Sequence, residues 1–221
     1  MELFKTVFDA LPYILSGSLV TIATVALALF MGLILGVPLA VLQVYAPPFI
    51  RRLVGIYVWF FRGVPILVLL FLFFGLFVSV GLPISPFLIS CLVLGFTSTA
   101  YQSQIYRGAI LALPQGQLKA ARALGMKDIT AIIHIILPQS LRISIPGFAN
   151  EFSILLKDSA ICYVLGTQEI MARANAVAAR TYEHLAFFAV AGALYLIITI
   201  IGFKLLRLLE QRTYIPGYTT T

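Results

Sequence analysis

Charge is what this sequence has least of: only 10% of its 221 residues are Asp, Glu, Lys or Arg, against 61% that are hydrophobic. A water-soluble domain of this length must present far more polar surface, so a soluble fold is excluded and lipid is the expected solvent. Alternation of apolar and polar residues with period two is also lacking. The apolar runs are continuous, which excludes a membrane barrel and predicts an all-α bundle of spanning helices. No Gly-Lys dipeptide occurs, so the phosphate-cradling loop that needs this pair is absent and the chain by itself does not bind ATP in the usual manner. HExxH and GxSxG are missing too, and His134 and His184 fall in segments expected on opposite sides of the membrane. The chain is therefore read as a non-enzyme without a metal; if ATP drives it, another chain hydrolyses it. Cys91 and Cys162 lie in separate apolar segments without ligand spacing and are expected to be packing residues.

The formal net charge is nonetheless +7. The Lys and Arg residues cluster at the ends of apolar runs, the signature of positive-inside orientation, not of nucleic-acid binding. Met1 to Pro12 carries Glu2, Lys5 and Asp9, which is not the basic start of a cleaved leader, so a retained amphipathic lead-in is expected. A first span covers Ser16 to Val44, with Gly32 and Gly36 spaced for close helix approach, and ends at Pro47 and Pro48 before the basic pair Arg51 and Arg52. A second span is expected over Val64–Val80, a third over Pro86–Ile105, a fourth over Pro138–Leu156 and a fifth over Leu185–Leu206. The basic segment from Arg107 through Lys127 and the tail with Lys204, Arg207 and Arg212 then share one side with Arg51 and Arg52. Positive-inside orientation makes that side cytoplasmic, with the N-terminus outside and the C-terminus inside. Gly166 to His184 is expected as a mixed, external stretch. There is no internal repeat, low-complexity segment or soluble domain, so residues 1–221 are expected to form one membrane domain.

Between Pro114 and Pro138 the pattern predicts two short helices joined at Gly125, which suits a left-handed helix stop, with Asp128 capping the second. On physics alone this could be an ordinary amphipathic connector on the membrane surface. The fourth span carries charge: Asn150, Ile154 and Lys157 share one helical face, as do Glu151, Ile154 and Asp158. Each charge inside a bilayer costs on the order of 3 kcal/mol and normally faces a partner or a water-filled cavity. Glu151 and Asn150 are candidates for such a cavity, the carboxylate for an ammonium and the amide for a carboxylate. Lys157 and Asp158 are candidates for the same site or for a structural ion pair. Arg62 either meets a carboxylate or snorkels to headgroups. Tyr101 and Gln104 either line the cavity or hydrogen-bond between helices.

Lys119-Ala120-Ala121-Arg122-Ala123-Leu124-Gly125-Met126, followed by Ile135-Ile136-Leu137-Pro138-Gln139, resembles the EAA signature of ABC importer permeases. Arg62-Gly63-Val64-Pro65, Tyr106-Arg107-Gly108-Ala109-Ile110, Gln115-Gly116-Gln117, Ile145-Pro146, Asn150-Glu151-Phe152 and Leu156-Lys157-Asp158-Ser159 are similar to the branch that takes up polar amino acids of the histidine, glutamine and arginine type. The likeness covers nearly the whole chain. It implies a type I importer fold of about five transmembrane helices in the cytoplasmic (inner) membrane. The loop of about residues 107–137 then holds a coupling helix, Lys119, Ala120, Ala121, Arg122, Leu124, Gly125 and Met126, that sits in a cleft of the ATPase. The resemblance further implies a dimer of ATP-binding cassette subunits holding ATP and Mg, a second permease subunit, identical or homologous, and an extracytoplasmic amino-acid-binding protein. The acidic residue that opens the family's signature is Lys119 here, so any ion pair it makes with the ATPase is absent or reversed. The implied function is ATP-driven import by alternating access. The other reading is an ion-gradient-driven secondary transporter using Glu151, Lys157 and Asp158, against which stand the odd span count and the absence of an inverted repeat.

Overall fold

A computed structural model describes residues 2–114 and 116–212. Met1 and Gln115, the first residue of the Gln-Gly-Gln motif, lie outside the described residues. The first helix, α1, runs unbroken over Glu2–Tyr45, so the lead-in and the first span are one element with Pro12 and Pro38 inside it. In lipid the backbone has no water to turn to, and a helix persists through such prolines.

Residues after Pro47 are not a simple basic flank. Pro48–Gly63 form α2, an amphipathic helix with Val54 and Val58 buried and Leu53, Ile56 and Trp59 exposed. Pro48 stands in its first turn, where the missing N–H removes no bond. Pro65 then forces Val64 into extended backbone (φ −91°, ψ 130°), as a proline does to the residue before it. The chain restarts as α3, Ile66–Ser79, bent by 109° from α2. The two together form either a broken span or a re-entrant loop, and the expected span at 64–80 corresponds to α3 alone.

Ser85 accepts from the Leu88 amide at 3.3 Å and opens α4, Pro86–Ala112. It continues well past Ile105, because Arg107 ends an apolar run without ending a helix. Beyond it come α5 (Gly116–Ala123), α6 (Asp128–Ala131), a π turn over Ile132–Ile136, α7 (Leu137–Ile143), α8 (Ile145–Asp158) and a 3-10 segment over Ser159–Leu165. Asp128–Ile143 and Ile145–Leu165 are bent by 56°. Pro146, lacking an N–H, sits in the first turn after the bend, so the expected fourth span is not one straight helix. The stretch from Gly166 to His184 holds a further helix, α9 (Ile170–Thr181). The last, α10, covers His184–Arg212.

Among the described residues two helices, Leu3–Tyr45 and His184–Arg212, are long and apolar enough to cross a membrane, and up to four crossings result if each bent pair counts as one. At 27 residues, α4 spans about 40 Å and is long enough to make a fifth. It misses on apolarity because it is the central helix. Thr97, Ser98, Thr99, Gln102 and Ser103 on it are buried, the last four close to α1. Gly32 and Gly36 make this approach possible: a Cβ at Gly32 would lie 2.3 Å from Gln102 Nε2, and one at Gly36 would lie 3.2 Å from Gln102 Cβ. Around α4 pack Leu69, Leu70, Leu155, Leu156 and Cys162, while Ile14, Ile170, Phe187 and Ala191 tie α1, α9 and α10 together. Cys91 and Cys162 are free thiols in this packing.

Candidate functional site

The face of α4 that carries Thr97, Tyr101 and Gln104 meets the face of α8 that carries Asn150, Glu151 and Asp158, and Arg62 closes the cleft from the end of α2. Gly147 lets α8 approach, since a Cβ there would lie 2.7 Å from Ile105 Cγ2. The cleft encloses about 370 Å³. Of the residues singled out from sequence, Arg62, Tyr101, Gln104, Asn150, Glu151 and Asp158 line it. Lys157 does not: it is exposed and, about 100° around the helix from Asp158, points elsewhere. No ion pair within 4.0 Å joins Lys157 to Asp158, in contrast to Arg122–Asp128, so the two are not locked together.

Glu151 is only 5% exposed. Its Oε1 accepts from the Ser98 hydroxyl, while its Oε2 and Thr97 Oγ1, on another residue lining the cleft, are buried without a hydrogen-bond partner. An unpartnered buried oxygen costs about 1–3 kcal/mol, so two in one cleft mark a place prepared for donors that arrive from elsewhere. Behind Ser98, Gln102 Nε2 donates to Ser98 Oγ at 2.9 Å and to the Leu29 carbonyl at 3.1 Å, and Tyr106 donates to Gln102 Oε1 at 3.0 Å. Thr97, Ser98 and Gln102 are functional candidates that sequence reading missed. The only available signal was the density of small polar residues inside the third span.

The Arg62 guanidinium lies 4.8 Å from the centroid of the Tyr101 ring, a cation–π contact at the edge of the cleft that both residues line. Gln104 donates to Gln43 Oε1 on α1 at 2.8 Å and accepts from Arg107 at 3.3 Å, so it joins helices and lines the cleft at once. Arg62 and Gln104 also border a second cleft of about 630 Å³ with Gln43, Arg51, Trp59 and Arg107, and no acidic side chain lines it.

The other expected site, the loop before α8, has the shape of a presented helix. In α5 Ala121 is buried while Lys119, Ala120 and Arg122 are exposed; just beyond it Leu124 and Gly125 are exposed and Met126 is half-buried. Gly125 takes φ 79°, its amide bonds to Arg122 O at 2.9 Å and the Met126 amide to Ala121 O at 3.0 Å, which closes the helix end as a left-handed glycine stop does. Asp128 does not cap α6 as expected; the cap position is Lys127 and carries no side-chain bond. The Asp128 carboxylate is instead engaged by Arg122, accepting from Nε and Nη2 at 2.7 Å each. That fork holds its carboxyl below the usual range. Gln117 and Gln139 exchange two amide bonds of 2.9 and 3.0 Å and fasten α5 to α7.

Glu169 was not among the residues expected to matter. Its buried carboxylate caps α9, accepting from the Met171 and Ala172 amides at 2.9 and 2.6 Å and from Tyr195 of α10. Thr21 of α1 accepts from the Ile170 amide at 3.2 Å. Three helices thus meet on one cap.

Residues 28–214 match the family model described as "Binding-protein-dependent transport system inner membrane component". The chain is 38% identical over 164 residues to the octopine transport system permease protein OccQ of Rhizobium radiobacter, covering 69% of each chain. It is 36% identical over 205 residues to the arginine transport system permease protein ArtQ of Bacillus subtilis, covering 90% of this chain and 93% of that one. A solved structure described as an amino acid ABC transporter with histidines superposes with a TM-score of 0.85 at 31% identity, over 95% of this chain and 98% of that chain.

Proposed function

Because the chain belongs to the family of binding-protein-dependent transport system inner membrane components, we propose that the cleft between α4 and α8 receives the amino acid that this importer subunit carries. The chain is a permease subunit of an ABC importer for amino acids, and such a subunit works with an ATPase and a binding protein. The observation that carries the site is the pair of unpartnered buried oxygens, Glu151 Oε2 and Thr97 Oγ1. A substrate ammonium supplies the donors both lack. Arg62, held over the Tyr101 ring at the edge of the cleft, then takes the carboxylate, and Asn150 and Asp158 meet the side chain at the mouth. The arrangement binds and orients; no bond is made or broken.

Lys119 to Met126 is the surface offered to the ATPase, which holds ATP and Mg, and Lys119 there asks for an acidic counterpart. Residues 1–221 act as one membrane domain beside a second permease, identical or homologous, because one chain of this size does not enclose a pathway. Its N-terminus lies outside and its C-terminus in the cytoplasm, since Arg51, Arg52 and the segment from Arg107 to Lys127 belong on the inner side. No specific observation favours an ion-gradient mechanism.

The test is uptake of the twenty labelled amino acids into vesicles carrying the native complex, with ATP supplied or withheld inside and ion gradients collapsed, for the wild type and Glu151→Gln. ATP-dependent uptake whose substrate preference shifts in Glu151→Gln supports the reading. Uptake driven by an ion gradient alone overturns it, and unchanged preference in Glu151→Gln removes Glu151 from the site.

A further inference from the structure

The hydrogen bonds behind Glu151 run in one direction, and the direction follows from what each group is able to do. The Leu29 carbonyl only accepts, so the Gln102 atom 3.1 Å from it is the amide nitrogen. Gln102 Oε1 therefore faces Tyr106, whose hydroxyl must donate across the 3.0 Å between them. The same Nε2 donates to Ser98 Oγ at 2.9 Å, which leaves the Ser98 proton for Glu151 Oε1. Each link points its proton toward the carboxylate, and each is buried: Gln102 fully, Ser98 and Tyr106 to 1%. Such a chain polarises toward its acceptor end, and in a dry interior its links strengthen one another.

We propose that Tyr106 and Gln102, which line neither cleft, are positioning residues of the substrate site: a one-way donor relay that fixes Glu151 through Oε1 and leaves Oε2 as its unpartnered acceptor. The inference rests on the proposed role of Glu151. Oε1 is committed to Ser98, so Oε2 is the oxygen left for substrate, and its direction is set by the occupied one. The far end is anchored as well. Tyr106 packs with Ala40, Ile110, Leu113 and Ile136, and its ring stands 5.9 Å from that of Phe148. Its hydroxyl is therefore fixed by the same cluster that seats the start of the coupling segment. Gly32 completes the device, since any side chain there would occupy the space of Gln102 Nε2 and Ser98 Oγ.

The experiment is the concentration dependence of ATP-driven uptake in reconstituted vesicles of the full complex, using the best-transported member of the twenty-amino-acid panel. It compares wild type, Tyr106→Phe, Gln102→Met and the double variant. Tyr106→Phe keeps the ring and its packing, and equal amounts of monodisperse complex establish that each variant folds. Each single variant is expected to raise KM about fivefold, the equivalent of one net hydrogen bond, with maximal uptake within about twofold of wild type. The double variant should be no worse than the larger single, because both cut the same relay. An unchanged KM, a fall in maximal uptake alone, or effects that multiply in the double variant would overturn the relay. Glu151→Gln in the same assay separates the two readings. If it alters substrate preference while Tyr106→Phe leaves KM alone, only the relay fails; if it alters nothing, the site itself does.

Discussion

Gly32→Ala is the smallest change that reaches the candidate site from outside it. The new methyl would stand 2.3 Å from Gln102 Nε2, 2.6 Å from Gln102 Cδ and 2.6 Å from Ser98 Oγ, distances that real atoms do not keep. Either α1 moves off α4 or the Gln102 side chain leaves its place. Moving Gln102 forfeits its bonds to Leu29 and Ser98, about 1 kcal/mol each, and overpacking costs about 1–3 kcal/mol more, offset by roughly 1 kcal/mol from alanine's better helix propensity. The expected net destabilisation is about 2–4 kcal/mol, a fall in melting temperature on the order of 10 °C. The assay is thermal unfolding of the purified complex, with substrate KM measured on the surviving protein, which should rise because Ser98 no longer orients Glu151. Gly192→Ala on α10 is the control: nothing lies within 4 Å of a Cβ there, so it should melt with the wild type or slightly above it. A Gly32→Ala complex that melts with the wild type and keeps its KM would refute the close contact and everything built on it.

Gly125→Arg should leave the bundle folded yet uncouple ATP hydrolysis from uptake, since a side chain at φ 79° costs roughly 1–2 kcal/mol and crowds the turn that presents α5; full uptake by a correctly inserted variant would contradict this. Glu169→Ala removes the acceptor that caps α9 and receives Tyr195, so the complex should lose about 2 kcal/mol or more in unfolding experiments, and Tyr195→Phe a smaller part of it. The Asp128 carboxyl should titrate below its ordinary value. Because its folded value is lowered, the Arg122 pair is intact above the ordinary carboxylate range and is lost as pH falls through the folded value. A carboxyl titration that does not move upward in Arg122→Gln would show the fork is not formed in solution.

The apolar runs located α1, α3, α10 and the first part of α4, because a crossing in lipid demands apolar length and that demand is written locally. Gly32, Gly36 and Gly125 were legible for the same reason: each meets a backbone requirement that no other residue meets. The amphipathic helices α2 and α9 were not, since arginines interrupt their apolar runs (Arg51, Arg52 and Arg62; Arg173 and Arg180) and their buried faces are completed by distant elements. The bend at Pro65 and the one before Pro146 carried a visible proline, yet no sequence rule says which prolines in a membrane helix are absorbed, as Pro12 and Pro38 are, and which break the helix. In the cleft, the charged and aromatic members stood out because they are costly in lipid. Thr97, Ser98 and Gln102 did not, as single hydroxyls and an amide in an apolar run have no signature until a partner 53 positions away, Glu151, is seen beside them.

The dependence of α4 on the glycine face of α1 bears on how the protein is made. Alone among lipids, a helix with Thr97, Ser98, Thr99, Gln102 and Ser103 along its length is a poor passenger for the insertion machinery, and α4 is not among the helices apolar enough to cross unaided. α1 leaves the ribosome first, and its cleft at Gly32 and Gly36 already waits in the bilayer when the polar helix emerges. The order of segments along the chain is therefore an assembly instruction: the groove is installed before the helix that has nowhere else to go.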